Sequence, residues 1–275
     1  MNILIAGGSG FLGCELARQA RAAGHAVTAT FATRAGHFPG IRWLAMDLRH
    51  DDEIASALRE TRPDVVVNAA YRKADWATTA DGAIGLALAA TRHGSRLVHV
   101  SSDAVFSGAD VRYDESASPD PINPYGAAKA AAETAIRLLA PAAVVARTSL
   151  IIGDGDSVHE EAVHELATGR RHGVLFTDDI RCPVHVADLA GALLELAASD
   201  RSGVCHVAGS DAVSRHELGV LIAERDGLDA SALATGRRAD TGPPGPLDVR
   251  LDSTRTQRTL RTALRGARDF LRRER

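Results

Sequence analysis

Tyr125 and Lys129 stand four residues apart in the stretch NPYGAAKAAAETAIRLL, residues 123–139. Four residues make about one helical turn, so on a helix the two side chains share a face. A phenol with its ordinary pKa of about 10 is a poor acid–base group at neutral pH. An ammonium beside it favours the phenolate and pulls that value toward working pH. Lysine suits the task as a compact charge with three rotatable donors that also reach ribose hydroxyls, whereas arginine's flat fork fills the space differently. The choice is notable because the chain carries 30 Arg and only two Lys, Lys73 and Lys129. A hydroxyl candidate lies in VSSDAVF, residues 100–106, after a strand-like run. Ser102 is preferred over Ser101, which sits closer to the strand's last pairing positions. The alternative for Ser-Ser-Asp is a capping turn.

A second chemistry-bearing stretch is GGSGFLG, residues 7–13, in which Gly7, Gly10 and Gly13 are spaced three apart. Between a strand and a helix such glycines allow a tight turn and close approach of backbone to a pyrophosphate. The helix start, with Phe11 and Leu12, adds oriented N–H groups and partial positive charge. This predicts a dinucleotide site. NAD-selective sites place Asp or Glu at the end of the second strand; here VTATFATRAG has no carboxylate and offers Thr33 and Arg34. NADP(H) is therefore preferred, NAD(H) staying possible, with Arg34 as reader of the 2′-phosphate or as a solvated loop residue.

The elements that must position these residues follow from periodicity. Strand-like runs at Ile3–Ala6, Val27–Phe31, Trp43–Met46, Val65–Asn68, Leu97–Ser101 and Ala143–Arg147 alternate with helical stretches near Leu12–Ala23, Asp52–Glu60, Ala83–His93 and Ala127–Leu139. Strands separated by helices imply right-handed crossovers and a doubly wound parallel sheet of Rossmann type, covered on both faces. After about Gly153 the pattern loosens into helical stretches at His159–Leu166, Val186–Ala198, Arg215–Glu224 and Arg258–Arg272, with a loop at Thr241–Pro246. The expected organisation is α/β: residues 1–152 as the NAD(P)-binding domain and 153–275 as a smaller substrate-binding lobe. The segment near 183–198 is expected to pack back on the first domain.

Bulk properties narrow the partners. A net charge of −3 with mixed signs along the chain points away from nucleic acid. No apolar run reaches the roughly 20 residues of a bilayer span, and the N-terminus enters a strand-like run directly, without a signal-peptide pattern. Cys14, Cys182 and Cys205 are odd in number and widely spaced, which fits reduced thiols in a cytoplasm. HEEAVH, residues 159–164, puts its two His five apart and about 140° around a helix, so no metal site is expected. The Asp residues of TDDIRCP, 177–183, are expected to shape a turn or pair with Arg181.

GGSGFLG, MDL (46–48), NAA (68–70), SSDAVF, YGAAK and RCPVHVADLA (181–190) occur in the order found in extended short-chain dehydrogenases/reductases. Over nearly its whole length the chain resembles the subgroup of dTDP-4-dehydrorhamnose reductases and related sugar-nucleotide-binding proteins. The resemblance implies catalytic roles for Ser102, Tyr125 and Lys129. It sets Asp47 and Leu48 near the adenine, and Asn68, Ala69 and Ala70 along the cofactor. It sets Arg147 and Ser149 in the segment closing over nicotinamide and substrate, and Arg181 near the nucleotide-sugar pocket. With Asp103 beside Ser102, and Lys73 and Trp76 on the loop YRKADWATTADG, these form the expected substrate side. The chain departs from the family in having no Asn in DGAIGLALAATRHG and Leu150 where a Trp is common. The implied activity is NADPH-dependent reduction of a nucleotide-linked 4-keto sugar, with Tyr125 as proton donor. The alternatives are an NAD-retaining epimerase or dehydratase, and a non-catalytic regulatory protein on the same fold. A homo-oligomer stays open.

Overall fold

The computed structural model describes residues 1–241 and 245–272. Seven strands form one parallel sheet: β1 (Asn2–Ala6), β2 (Ala26–Phe31), β3 (Arg42–Ala45), β4 (Val65–Asn68), β5 (Arg96–Ser102), β6 (Val144–Thr148) and β7 (Gly203–His206), in spatial order β7-β6-β5-β4-β1-β2-β3. The direction of winding reverses between β1 and β4, and a crevice opens outside the carboxyl ends of strands at such a switch.

Successive side chains of a strand face opposite ways, and β1 shows the consequence. Ile3 and Ile5 join the core under α1 (Phe11–Ala22) and α6 (Val186–Ala197). Leu4 and Ala6 join the other core, under α2 (Asp51–Thr61), α3 (Gly82–His93) and α4 (Pro124–Leu139). A third apolar cluster, outside the sheet, gathers α5 (Val158–Ala167), α7 (Arg215–Arg225) and Leu271.

Three features differ from the sequence-based expectation. Residues 203–206 form a seventh strand, parallel to β6, so the sheet takes in more of the second half of the chain than α6 alone. A π-helical turn, Ala77–Asp81, precedes α3. The stretch 258–272 is no continuous helix; a helical turn at Thr254–Gln257 ends just before it, and within it the helical turn is Ala267–Phe270. The reason is competition for backbone amides. The Glu195 carboxylate accepts from the N–H of Arg261 and Thr262 (2.7 and 2.8 Å), and Gln257 accepts from Leu264 N–H (2.7 Å). Residues 242–244 of the expected 241–246 loop, and the last three residues, lie outside the described part. Among the described residues no helix is long and apolar enough to cross a membrane.

Candidate active site

Two glycines shape the cleft at the switch point. Gly7 turns out of β1 at φ +75°, and a Cβ there would come within 2.7 Å of Ala70 Cα beyond the end of β4. A Cβ on Gly13 would overlap the Gly7 carbonyl oxygen, so only glycine lets α1 start this close to the loop. Gly10 N–H donates to Gly7 O at 3.0 Å. Phe11 is half-buried against Gly153, and the Leu12 side chain points into the sheet core, leaving the helix start as their contribution to the cleft.

The resulting cleft, about 210 Å³, is lined at one end by Gly7 and Gly10 and at the other by Thr33, Asp47 and Leu48. Ala69 and Ala70 form its floor, together with two residues that sequence reasoning left without a cofactor role, Tyr71 and Arg72. Asn68 is buried below; its amide oxygen accepts from Ala70 N–H (3.1 Å) and its amide nitrogen meets His99 Nδ1 (3.2 Å). Arg49 forks onto Asp47 at 2.6–3.1 Å, and that hydrogen bonding holds the carboxyl down at about 2. Arg34 follows Thr33, exposed and without an ion pair among the described residues. The glycine cradle, open helix start and absence of an acidic residue at the end of β2 fit a dinucleotide.

Along the same edge α4 delivers Tyr125 and Lys129. Asn123 caps it by accepting from Gly126 N–H (2.8 Å), with Pro124 in the first turn. Tyr125 is therefore fixed at the helix start and Lys129 one turn on. A Cβ on Gly126 would overlap the Ala104 carbonyl oxygen, which is how closely α4 approaches the turn after β5. Gly126→Ala should thus lose about 1–3 kcal/mol from overpacking, although alanine is the better helix former; urea unfolding measures it.

Ser102 ends β5, its Oγ accepting from Ala104 N–H (3.2 Å) and donating to Asp103 (3.2 Å), so the capping role and the catalytic candidacy fall on the same residue. Asp103 is buried, accepts from Ser149 Oγ (2.7 Å) and stands 3.7 Å from Arg181 Nε. Burial raises the Tyr125 phenol above its ordinary value, Tyr71 adding to this and a hydrogen bond with Ser102 opposing it. Lys129 is buried, donates to Val100 O (2.9 Å) and lies 5.6 Å from the Tyr71 ring, which in turn sits 5.8 Å from the Tyr125 ring. Burial lowers the Lys129 ammonium to about 8. The sequence suggests an ammonium pulling the phenol down; in this geometry burial is the dominant influence on Tyr125 and acts in the opposite direction.

The substrate candidates divide. Ser102, Asp103, Ser149 and Arg181 are linked through Asp103. Arg181 is turned inward, donating to the carbonyls of Ile180, Pro246 and Leu247 (2.6–3.0 Å) and pairing with Asp179 (2.9 Å). Arg147 is also inward, fully buried against Glu133 (2.8 Å), and does not line the cleft. Trp76 is exposed and gives its indole N–H to Asp81 (3.1 Å). Lys73 is exposed on the loop after β4, and its charge reaches His159 on α5. Burial lowers that imidazole to about 3, with Arg215 and Lys73 adding to the effect. Arg215, with no motif to mark it, went unnoticed in the sequence.

Residues 1–273 match the family described as RmlD substrate binding domain. The chain belongs to that family. Among relatives, dTDP-4-dehydrorhamnose reductase of Mycobacterium tuberculosis strain H37Rv is 33% identical over 263 residues, covering 89% of this chain and 82% of the relative. A solved structure of a hypothetical dTDP-4-dehydrorhamnose reductase from Sulfolobus tokodaii superposes with a TM-score of 0.82 at 28% identity, covering 96% of this chain and 97% of the other. The fold is also that of a Bacillus anthracis dTDP-4-dehydrorhamnose reductase solved with NADP, TM-score 0.81 at 22% identity over 98% and 96% of the two chains.

Proposed function

We propose that this protein is a cytoplasmic NADPH-dependent reductase of a nucleotide-linked 4-keto sugar. The observation that carries the reading is the meeting of Ser102, Tyr125 and Lys129 beside a glycine-cradled cleft. The reductase relatives support the substrate class. On this reading residues 1–152 hold the dinucleotide and 153–275 mainly face the sugar nucleotide.

NADPH, when bound, supplies the hydride that makes the ketone carbon an alcohol carbon. Gly7, Gly10 and the start of α1 would hold its diphosphate, Asp47 and Leu48 its adenine end, and Lys129 its ribose hydroxyls. As negative charge develops on the sugar oxygen, Ser102 turns its O–H from Asp103 to donate a hydrogen bond to it and Tyr125 delivers the proton. A developing alkoxide is far more basic than a phenolate, so even a phenol raised by burial gives up its proton downhill. Asp103 and Ser149 orient the Ser102 turn. Lys73, exposed on the loop after β4, and Arg215, near it through their common neighbour His159, would offer positive charge for the substrate's diphosphate.

NADPH oxidation followed spectrophotometrically across a panel of nucleotide-linked 4-keto sugars tests the proposal. Tightly held NAD with no net NADPH consumption would assign an epimerase or dehydratase instead, and a stable complex with another enzyme without turnover would assign a regulatory protein. Arg34→Ala is expected to raise the NADPH KM about tenfold, the worth of one charge-assisted contact, with the NADH KM unchanged; steady-state kinetics with both cofactors reads it.

A further inference from the structure

Behind the cleft runs a buried charge network that the proposed chemistry does not use. Tyr125, Lys129 and Glu133 follow one another at four-residue spacing down one face of α4, and Glu133 is as buried as Lys129. Its carboxylate is fully engaged: Arg147 Nε reaches both oxygens at 3.1 Å, Arg147 donates again at 2.8 Å, and Ser101 Oγ donates to the first oxygen. Arg147 is braced in turn by Ala117 O (3.1 Å) and the Phe106 ring (4.9 Å). Three segments thus meet at one carboxylate, α4, the end of β5 next to Ser102 and β6 two residues before Ser149, and the loop at 117 joins them through Arg147.

We infer that Glu133, braced by Arg147 and Ser101, is a positioning residue that fixes a counter-charge one helical turn from Lys129 and locks α4 against the catalytic end of β5. A buried carboxylate paired on one side and hydrogen-bonded on the other is costly unless fully satisfied, and this one is satisfied by groups from both strands that carry cleft residues. The groups facing Lys129 are few. His99 on β5 is buried and driven strongly toward its neutral form by burial and by the Lys129 charge. Tyr71 offers a ring face, Tyr125 a neutral phenol and Val100 a carbonyl. Burial works against the ammonium, and Glu133 is the group whose charge favours it.

The test uses the chain's own composition. With only two lysines, protein grown on lysine carrying 13C at Cε gives two side-chain resonances, assigned with a Lys73→Arg protein. A pH titration then follows Lys129 directly, without cofactor or substrate. In Glu133→Gln the Lys129 midpoint is expected to fall by about one pH unit or more, as loss of a neighbouring opposite charge requires. Because that variant strands a buried guanidinium and can fail to fold, Glu133→Gln/Arg147→Met is titrated beside it. The double variant removes both charges, the lost guanidinium offsetting part of the lost carboxylate, and is expected to fold and to show a smaller fall in the same direction. An unmoved midpoint in either folded variant overturns the inference, since a purely structural pair would change stability alone. The kinetic consequence rests on the reductase reading: loss of turnover with rising pH should set in earlier by the same displacement. A shifted midpoint without a shifted pH profile would fault the reductase reading and leave the positioning role standing.

Discussion

Tyr125→Phe is expected to cut turnover about 10³-fold while leaving NADPH affinity within about twofold of the parent. The size follows from what is deleted. A positioned general acid contributes roughly 10² to 10⁴, and each factor of ten is about 1.4 kcal/mol of barrier. Nothing else in the cleft is placed to replace the proton. Ser102 Oγ is tied into the turn with Asp103 and Ala104 N–H, and Lys129 is held by Val100 O. The fold should barely notice the change, because the ring keeps its contact with Tyr71 and the helix keeps its Asn123 cap. Cofactor affinity should hold because the hydroxyl lies outside the glycine cradle. Single-turnover NADPH oxidation separates the chemical step from release, and cofactor fluorescence gives the affinity. Near-parental turnover in the folded variant would remove Tyr125 from the mechanism.

The sheet was legible because its signals are local. Alternating two-faced burial in β1 and the matching apolar stripes of α1 and α3 are written in contiguous residues, and the boundaries of β4 come out as read, Val65–Asn68. β7 escaped because Gly203–His206 is short and carries a polar His, and because what makes it a strand is the exposed edge of β6 in the finished sheet. The C-terminal stretch misled for the opposite reason. Its Leu and Ala spacing suits a helix, but Glu195 and Gln257 outcompete the helical carbonyls for the amides of 261, 262 and 264. Local propensity lost to side-chain acceptors, one of them more than sixty residues away.

The site divides along the same line. Gly7–Gly13, Ser102 and the Tyr125–Lys129 pair announce themselves through spacing within one segment. Glu133 sits in that very segment, four residues past Lys129, and still carried no signal, because its meaning depends on Arg147 and Ser101 from two strands. Arg181 drew notice as a cation for the substrate, yet its guanidinium proves to be spent largely on three backbone carbonyls and a carboxylate. Which arginine among thirty faces a ligand is a property of packing, and packing is not local.

Asp179→Asn should damage the fold severely, costing about 3–5 kcal/mol. Asp179 is 2% exposed and lies between three guanidiniums: Arg238 at 2.8 Å, Arg181 at 2.9 Å and Arg215 at 3.6 Å. Its backbone carbonyl also accepts from Arg215 N–H at 2.9 Å, so the residue ties the 180–181 strand to the start of α7 as well as balancing charge. Removing one partner of a buried ion cluster leaves the others uncompensated, which is where the magnitude comes from. Asparagine keeps the shape but offers an NH₂ to a guanidinium and so satisfies fewer of them. The neighbouring Asp178 gives the control, since its carboxylate accepts from the N–H of Arg238 and Ala239 (2.6 and 3.1 Å) near the surface, and Asp178→Asn should cost far less. Urea unfolding of both variants measures the difference. Equal losses would mean that the turn, and not the charge, is what residues 178–179 supply. The cluster also shows how three arginines can crowd together: Asp179 faces all of them, and Asp103 adds a second buried carboxylate beside Arg181.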